Sequence, residues 1–560
     1  MAVENLITEH IDIWTSAVKT RSASGRGSSK KLELYGIKKL RKLILELAVH
    51  GKLVPQDPND EPADILVQRI MAKKKELLAD GTLKKTKKSK VHDAIISAEE
   101  LPLGWVAADF GDITFNLDAQ RIPLSVSERK GRQGVYDYYG ASGVIDSIDA
   151  YLFDKPLLLI GEDGANLVNR STPIAFMARG KYWVNNHAHV IDGISEDFLI
   201  YLSLYINSIS LIPYITGIAQ PKMNQAKMNS ILVLLPPEKE QHRIVAKVDE
   251  LMALCDQLEQ QTESSIEAHQ VLVTTLLDTL TKSADAGELM QNWARISEHF
   301  DTLFTTEESI DQLKRTILQL AVMGKLVPQD PSDEPATELL KRIAEEKAQL
   351  IKEKKIKKQK ALPPISDDEK PFELPTGWKW CRLGEVINLV SGQHLKPSEY
   401  TENSEANSVP YITGPAEFGS IYPTYSKYTL EKRALAQAGH ILITCKGAGL
   451  GKLNRAKQTM AISRQLMAIE PVFLDSDFLY NVLDCQYNYF QSKGIGIAIP
   501  GISRDDVTHM GVSLPPLNEQ KRILVKLSEL MNVCDLLKSR LIKSKNLQLH
   551  LTDAIVSRTV

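Results

Sequence analysis

The sequence predicts a mixed α/β protein built twice: two α/β domains joined by two long antiparallel coiled-coil helices, the halves related by a pseudo-twofold axis. Three observations carry this prediction. A segment near the start of the chain recurs without a gap about 273 residues later. Two stretches, one central and one C-terminal, share a sustained 4-3 apolar spacing. Between the matched segments lie two unmatched inserts of short β-type runs and Gly/Asn turns.

The repeat is the first element. Leu40–Ile70 recurs as Leu313–Ile343 with about two thirds of positions identical, including GKLVPQDP and DEPA in both copies. Such a period is far too long for a solenoid. The same offset carries Leu101-Pro102 and Gly104-Trp105 onto Leu374-Pro375 and Gly377-Trp378. A second pair, LPPEKEQHRI from Leu235 and LPPLNEQKRI from Leu514, aligns at an offset of about 279. ITEHID at Ile7 echoes ISEHFD at Ile296, so the duplication reaches almost to the N-terminus. The inserts Phe115–Asn229 and Asn388–His509 share almost no residue identity. Constant flanks around two unlike inserts describe a frame carrying two interchangeable heads.

Each copy opens with an amphipathic helix stopped at Gly51 or Gly324, followed by a Pro-rich connector that must be extended or turned. Asp60 and Asp333 precede Glu-Pro-Ala as helix starts. The second helices, over Ala63–Ala79 and Ala336–Lys355, run into lysine tracts at Lys84 and Lys352 that read as solvated helix ends or linkers, with a flexible basic strap near a phosphate backbone as the alternative. In the inserts, Pro156–Gly161, Lys181–Asn186 and His440–Cys445 read as strands, and the runs from Asp197 and Asp477 as helices. Each insert closes on Gly-Ile-Ala-x-Pro, at Gly217–Pro221 and Gly496–Pro500.

The long helices follow. Ile244, Val248, Leu251, Cys255, Leu258, Thr262, Ser265, His269, Leu272 and Leu276 alternate spacings of four and three. Ile523, Leu527, Leu530, Cys534, Leu537, Leu541, Ser544, Gln548, Leu551 and Ile555 repeat the pattern. About 45 residues at a rise of 1.5 Å make a bar of roughly 65 Å. The resulting domain plan is a helical arm and basic linker over 1–99, an α/β domain over 100–235 and a spacer helix over 236–284. A second arm and linker then covers 285–372, a second α/β domain 373–514 and the C-terminal spacer helix 515–560.

Composition bounds the function. An apolar content of 43% with 25% charged residues is that of a soluble globular chain. The five cysteines form no Cys-x-x-Cys pair, which argues for reduced thiols in a cytoplasmic protein. No signal peptide or membrane-length apolar run is found. The net charge of -2 speaks against nucleic-acid binding unless basic character is local.

Catalytic patterns fail one by one. The Pro-Pro sites follow leucine, so no adenine-methyltransferase segment is present. The loop KGAGLGK at Lys446 has three residues between its outer glycines, and a leucine stands where a phosphate-binding loop needs Ser/Thr. It reads better as a tight turn bringing N–H groups and Lys446 or Lys452 near a DNA phosphate. His187 and His189 lack further ligands for a metal site. Glu345-Glu346-Lys347 lies on a charged helix without an upstream Pro-Asp. The chain reads as a non-enzyme with no catalytic residue, metal or cofactor of its own.

The order of insert, Leu-Pro-Pro boundary with Glu-Gln-x-Arg-Ile, long helix, and the same again resembles the specificity subunit of type I restriction–modification enzymes. GKLVPQDPxDEPA and Leu-Pro-x-Gly-Trp are most similar to the type IB subfamily. The resemblance implies that the inserts are target recognition domains, each reading half of a bipartite, asymmetric site in double-stranded DNA. It further implies that the helices set the gap between half-sites and dock two modification (methyltransferase) subunits, with restriction/translocase subunits added in the full complex. S-adenosylmethionine, ATP and Mg2+ would then belong to the partners, and no membrane is involved. Half-sites one turn apart lie roughly 34 Å from each other, within reach of such a bar.

Residue type and loop placement nominate DNA contacts. In the first insert these are Arg121, Arg129, Lys130, Arg132, Tyr138, Tyr139, Ser142, Arg170, His187 and Lys222. In the second they are His394, Lys396, Tyr411, Thr413, Lys427, Lys446, Lys452, Arg455, Arg464 and Gln465. Arg and Gln can read base edges, whereas Lys mostly anchors phosphates. Two alternatives stand beside this reading: a protein scaffold that binds no DNA, and a fused DNA methyltransferase or nuclease. Arg464→Ala is expected to relax or abolish recognition of one half-site only; equal loss on all DNA sequences would remove it from base reading.

Overall fold

A computed structural model describes residues 3–21, 31–85, 87, 101–217, 220–284, 286–447, 449–494 and 500–559. The chain divides into two compact units, 1–265 with 544–560 and 266–543. Each long helix, Glu238–Lys282 and Leu517–Thr559, is therefore shared between the units, and both are divided at the same place in the repeat. Parts of the lysine tract at Lys84 and of both Gly-Ile-Ala-x-Pro segments lie outside the described residues. Among the described residues no helix is long and apolar enough to cross a membrane.

In both units the duplicated motifs meet at one buried junction. The first arm helix, Tyr35–Val49, ends before Gly51, whose φ of +67° reverses the chain. A Cβ there would stand 2.6 Å from Pro102 and 3.2 Å from Trp105, so glycine lets the insert's lead-in pack directly on the turn. Gln56 of the Pro-rich connector donates to the Gly51 carbonyl at 2.6 Å and to Glu240 at 3.3 Å, and the Trp105 indole N–H donates to the same carboxylate at 3.1 Å. Burial pushes the Glu240 carboxyl upward, while these two donors pull the other way. Arg243, one turn along, donates to Asp60 at 2.6 Å.

The second unit repeats the arrangement: Gln329 with Gly324 at 2.7 Å and Glu519 at 3.1 Å, and Arg522 with Asp333 at 2.6 Å. Trp378 packs on Gly324 as Trp105 does on Gly51, and burial raises the Glu519 carboxyl while Gln329 and Trp378 pull it down, as Gln56 and Trp105 do for Glu240. Asp60 and Asp333 are thus ion-pair partners of the long helices and not helix starts. The second arm helices, Ala63–Ala79 and Ala336–Lys352, are preceded by Pro62 and Pro335 in extended conformation.

Each insert is closed at its root by a two-stranded ribbon of the strands that flank it, Val106–Asp109 with Leu232–Leu235 and Lys379–Arg382 with Gly511–Leu514. The insert consequently leaves and rejoins the frame at one place. Inside insert 1, Leu157–Gly161, an apolar run and wholly buried, is central to a sheet ordered Phe115–Asn116, Ala188–Asp192, Leu157–Gly161, Ala175–Ala178. A second sheet pairs Tyr136–Gly140 antiparallel with Gly143–Ile148 and parallel with Tyr182–Val184. Insert 2 has the same plan: Ile387–Ser391, Leu466–Pro471, Ile441–Thr444, Leu453–Arg455, and a second sheet with Val409–Ile412 parallel to Met460–Ile462. The helix expected from Asp477 breaks at Gln486 into Ser476–Cys485 and Tyr487–Lys493.

The apolar seam of the long helices holds through Leu258 and then slips. Ile244, Val248, Leu251, Cys255 and Leu258 are buried, but Leu272 is 49% exposed, and Val273, Leu277 and Leu280 take the buried positions. The C-terminal helix slips identically: Leu551 is 43% exposed and Thr552 is buried. A run of two spacings of four shifts the stripe around the helix, as an inserted stutter does. The slip falls where each helix passes from one unit to the other, so the 4-3 pattern expected throughout applies to the first half of each helix. In the second unit, Val273, Leu277 and Leu280 share a core with the arm residues Leu313 and Ile317 and with Ile523, Leu527 and Cys534.

Gly324→Ala places a side chain at φ +73° and 2.6 Å from Pro375. It is expected to lower stability by about 1–3 kcal/mol, read as a lower urea midpoint; an unchanged midpoint would show that this turn does not require the left-handed backbone.

Candidate nucleic-acid interface

One end of insert 2 is a convergence of turns. After Thr444 the backbone N–H of Cys445 donates to the Gln465 carbonyl at 2.8 Å, and Gln393 donates to Ile462 at 2.9 Å. The Ser463 hydroxyl donates to the Thr413 carbonyl at 2.5 Å, and Gly447 donates to Pro500 at 2.8 Å. The hairpin from Lys446 to Lys452 turns through Gly447 and Gly451, both at positive φ. These bonds bring together His394, Thr413, Lys446, Lys452, Arg464 and Gln465, all exposed except the half-buried Thr413. Three cations, a glutamine and an imidazole on one set of loops have the chemistry of phosphate anchors and base-edge donors. This local basic character answers the near-neutral total charge.

The other nominees in insert 2 lie apart from this cluster or inside. Tyr411 is buried at 2% exposure, its hydroxyl accepting from the Leu395 N–H at 3.2 Å, so it is a core residue and not a contact. Lys427 lies 5.4 Å over the Tyr400 ring. Arg455 pairs with Asp477, stacks 4.6 Å over Tyr480, and sits opposite Ile441, at the other end of the strand from the turns. Lys396 is exposed at the start of a short helical turn.

Insert 1 is organised differently in charge. Arg121 is committed to Glu162 at 2.9 Å, to the Ala188 carbonyl at 2.7 Å and, more loosely, to Asp118 at 3.5 Å. Lys222 pairs with the same Glu162 at 3.1 Å. Arg129 is bound to Asp146 at 2.9 Å above the Tyr138 ring, and Arg132 to Asp149 at 2.9 Å above Trp183. Tyr138 is fully buried, a correction identical to that for Tyr411, and Tyr139 is half-buried against Phe176. Arg170, at φ +50°, donates to the Ile209 carbonyl at 2.7 Å and fastens its loop to the insert's helix. These arginines carry structural partners, which a choice by residue type could not foresee. Lys130, Ser142 and His187 are exposed, His187 with its Nδ1 2.8 Å from Asp163.

Beneath this surface is a buried ion pair that a search for cations passed over. His189 is 1% exposed, with Nδ1 2.7 Å from Asp118 and Nε2 2.9 Å from the Met223 carbonyl. Two acceptors on one ring require both nitrogens to carry protons, so the imidazole is a cation. Burial by itself would raise the Asp118 carboxyl and lower the His189 imidazole. Their mutual hydrogen bond and charge outweigh it, leaving Asp118 below and His189 above the ordinary values. The spacing of the two histidines carried no signal for this difference: His187 lies in the turn before the strand, and His189 lies within the buried strand Ala188–Asp192.

The pair makes stability depend on pH from both sides. The His189 contribution is full below the ordinary imidazole value of 6.5 and is lost as pH rises through its raised value. The Asp118 contribution is full above the ordinary 3.8 and is lost as pH falls through its lowered value. His189→Asn is therefore expected to reduce stability most between these two values, with the deficit shrinking at alkaline pH. A deficit independent of pH, followed by thermal unfolding, would show that the pair is not ionised.

Comparison with known proteins places the chain among relatives of one kind. The family described as type I restriction modification DNA specificity domain matches residues 102–268 and 375–544. The type I restriction enzyme EcoEI specificity subunit of Escherichia coli is 41% identical, covering 99% of both chains. The EcoAI specificity subunit of Escherichia coli is 39% identical over 100% of both. A solved HsdS subunit from Thermoanaerobacter tengcongensis is 20% identical, covers 82% of this chain and 97% of its own, and has a TM-score of 0.42.

Proposed function

Because the chain belongs to the type I restriction–modification DNA specificity family, we propose that it is the sequence-reading subunit of such a complex and performs no catalysis itself. The observation that supports this most directly is the pair of inserts. Each has the same sheet plan and is rooted on the same duplicated junction, but the side chains on their converging turns differ. Two unlike readers on one frame are suited to a split, asymmetric site in double-stranded DNA.

In this reading the long helices set the unspecified gap and dock two modification subunits. Those subunits hold S-adenosylmethionine, and restriction/translocase subunits use ATP and Mg2+. The lysine tracts near Lys84 and Lys352 add sequence-independent attraction to phosphate. The complex works in the cytoplasm as a restriction system in phage defence.

The test is reconstitution of the chain with its modification subunits, S-adenosylmethionine and a plasmid library, followed by mapping of methylated adenines. Methylation confined to one bipartite sequence is expected. Methylation without sequence preference would leave a protein scaffold as the better description, and methyl transfer by the chain alone would make it an enzyme.

A further inference from the structure

The two inserts have no alignable sequence, yet their main-chain hydrogen bonds coincide. Glu162 N–H to His187 C=O at 2.8 Å matches Cys445 to Gln465 at 2.8 Å, and Gly164 to Pro221 at 3.0 Å matches Gly447 to Pro500 at 2.8 Å. Met223 to Glu162 at 2.8 Å matches Ile502 to Cys445 at 3.0 Å, and Asn185 to Tyr139 at 3.1 Å matches Ser463 to Ile412 at 2.9 Å. Even the turn caps agree: the Asn185 side chain accepts from the His187 N–H at 2.8 Å, as the Ser463 hydroxyl does from the Gln465 N–H at 3.2 Å. This lattice puts the inserts in register residue by residue, which their sequences do not.

In that register Asp163 stands where insert 2 has Lys446, Asn186 where it has Arg464, and His187 where it has Gln465. The carboxylate at Lys446's place cannot anchor a phosphate, and it is occupied by His187 at 2.8 Å. Asn186 is exposed at the apex of its turn, and its side-chain amide makes no hydrogen bond among the described residues. Arg464 is equally exposed and makes no ion pair among them. A carboxamide offers one donor and one acceptor, matching the N6 donor and N7 acceptor of adenine. A guanidinium offers two donors, matching O6 and N7 of guanine.

We propose that Asn186 and Arg464 are equivalent specificity-determining residues, Asn186 reading an adenine in one half-site and Arg464 a guanine in the other. This rests on the reading of the inserts as DNA-recognition domains. Asn186 was not among the residues nominated from sequence, because an asparagine beside a histidine pair carries no charge to draw attention.

The experiment uses the assembled methyltransferase, with sites mapped on DNA libraries randomised through both half-sites. Arg464→Ala identifies the half-site read by insert 2 by relaxing one G·C position there. Asn186→Ala is expected to relax one A·T position in the other half-site, with discrimination at that position falling roughly 5- to 150-fold and the remaining positions unchanged. Asn186→Gln, which keeps the carboxamide but moves it, should weaken methylation at the same position without selecting a new base. An Asn186→Ala profile equal to wild type, or a relaxation located in the half-site that Arg464→Ala marks, overturns the assignment while a split wild-type site leaves the wider reading standing. A wild-type complex with no split site overturns both.

Discussion

A single buried carboxylate stands where the arm, the lead-in to the insert and the root of the long helix converge, Glu240 in one unit and Glu519 in the other. Taking a carboxylate out of water is unfavourable unless donors replace the lost hydration. Gln56 and Trp105 do so for Glu240, and each comes from a different segment of chain. The charge therefore has a satisfied environment only when all three segments are in place. Removing it would strand buried donors at a cost of about 1–3 kcal/mol each. The adjacent Arg243–Asp60 pair adds a second tie between connector and helix. This explains why the repeated motifs are so far apart in sequence and so alike in both halves: they are the faces of one junction.

Much of the architecture was legible because it depends on repetition and periodicity. The duplication, the helix stops at Gly51 and Gly324, the second arm helices and the apolar strands Leu157–Gly161 and Ile441–Thr444 all left local signals. The phase slip did not. Leu272 and Val273 are equally apolar neighbours, and which of them faces inward depends on a core that the helix meets only after leaving the first unit. The roles of Asp60 and Asp333 were likewise invisible, since their arginine partners lie 183 and 189 residues away and capping was the nearer local explanation.

The site was legible in part for a related reason. Lys446, Lys452 and Arg464, nominated by residue type, lie exposed on turns and make no ion pair among the described residues of insert 2. In insert 1 the same criterion selected Arg121, Arg129 and Arg132, each of which is held by a carboxylate from a distant strand or turn. Tyr138 and Tyr411 were misread as surface aromatics. They are instead the same structural pin in both inserts, a buried ring whose hydroxyl receives the N–H of Leu124 or Leu395.

That pin belongs to a lattice made almost wholly of main-chain groups, and main-chain groups are common to every residue type. The outward side chains of the turns can therefore be exchanged with little consequence for folding, since few of the bonds that shape the turns pass through them. Mutational tolerance and recognition are thereby separated within one small domain. If the apices read bases as proposed, altering them alone changes DNA preference without a new scaffold to hold them.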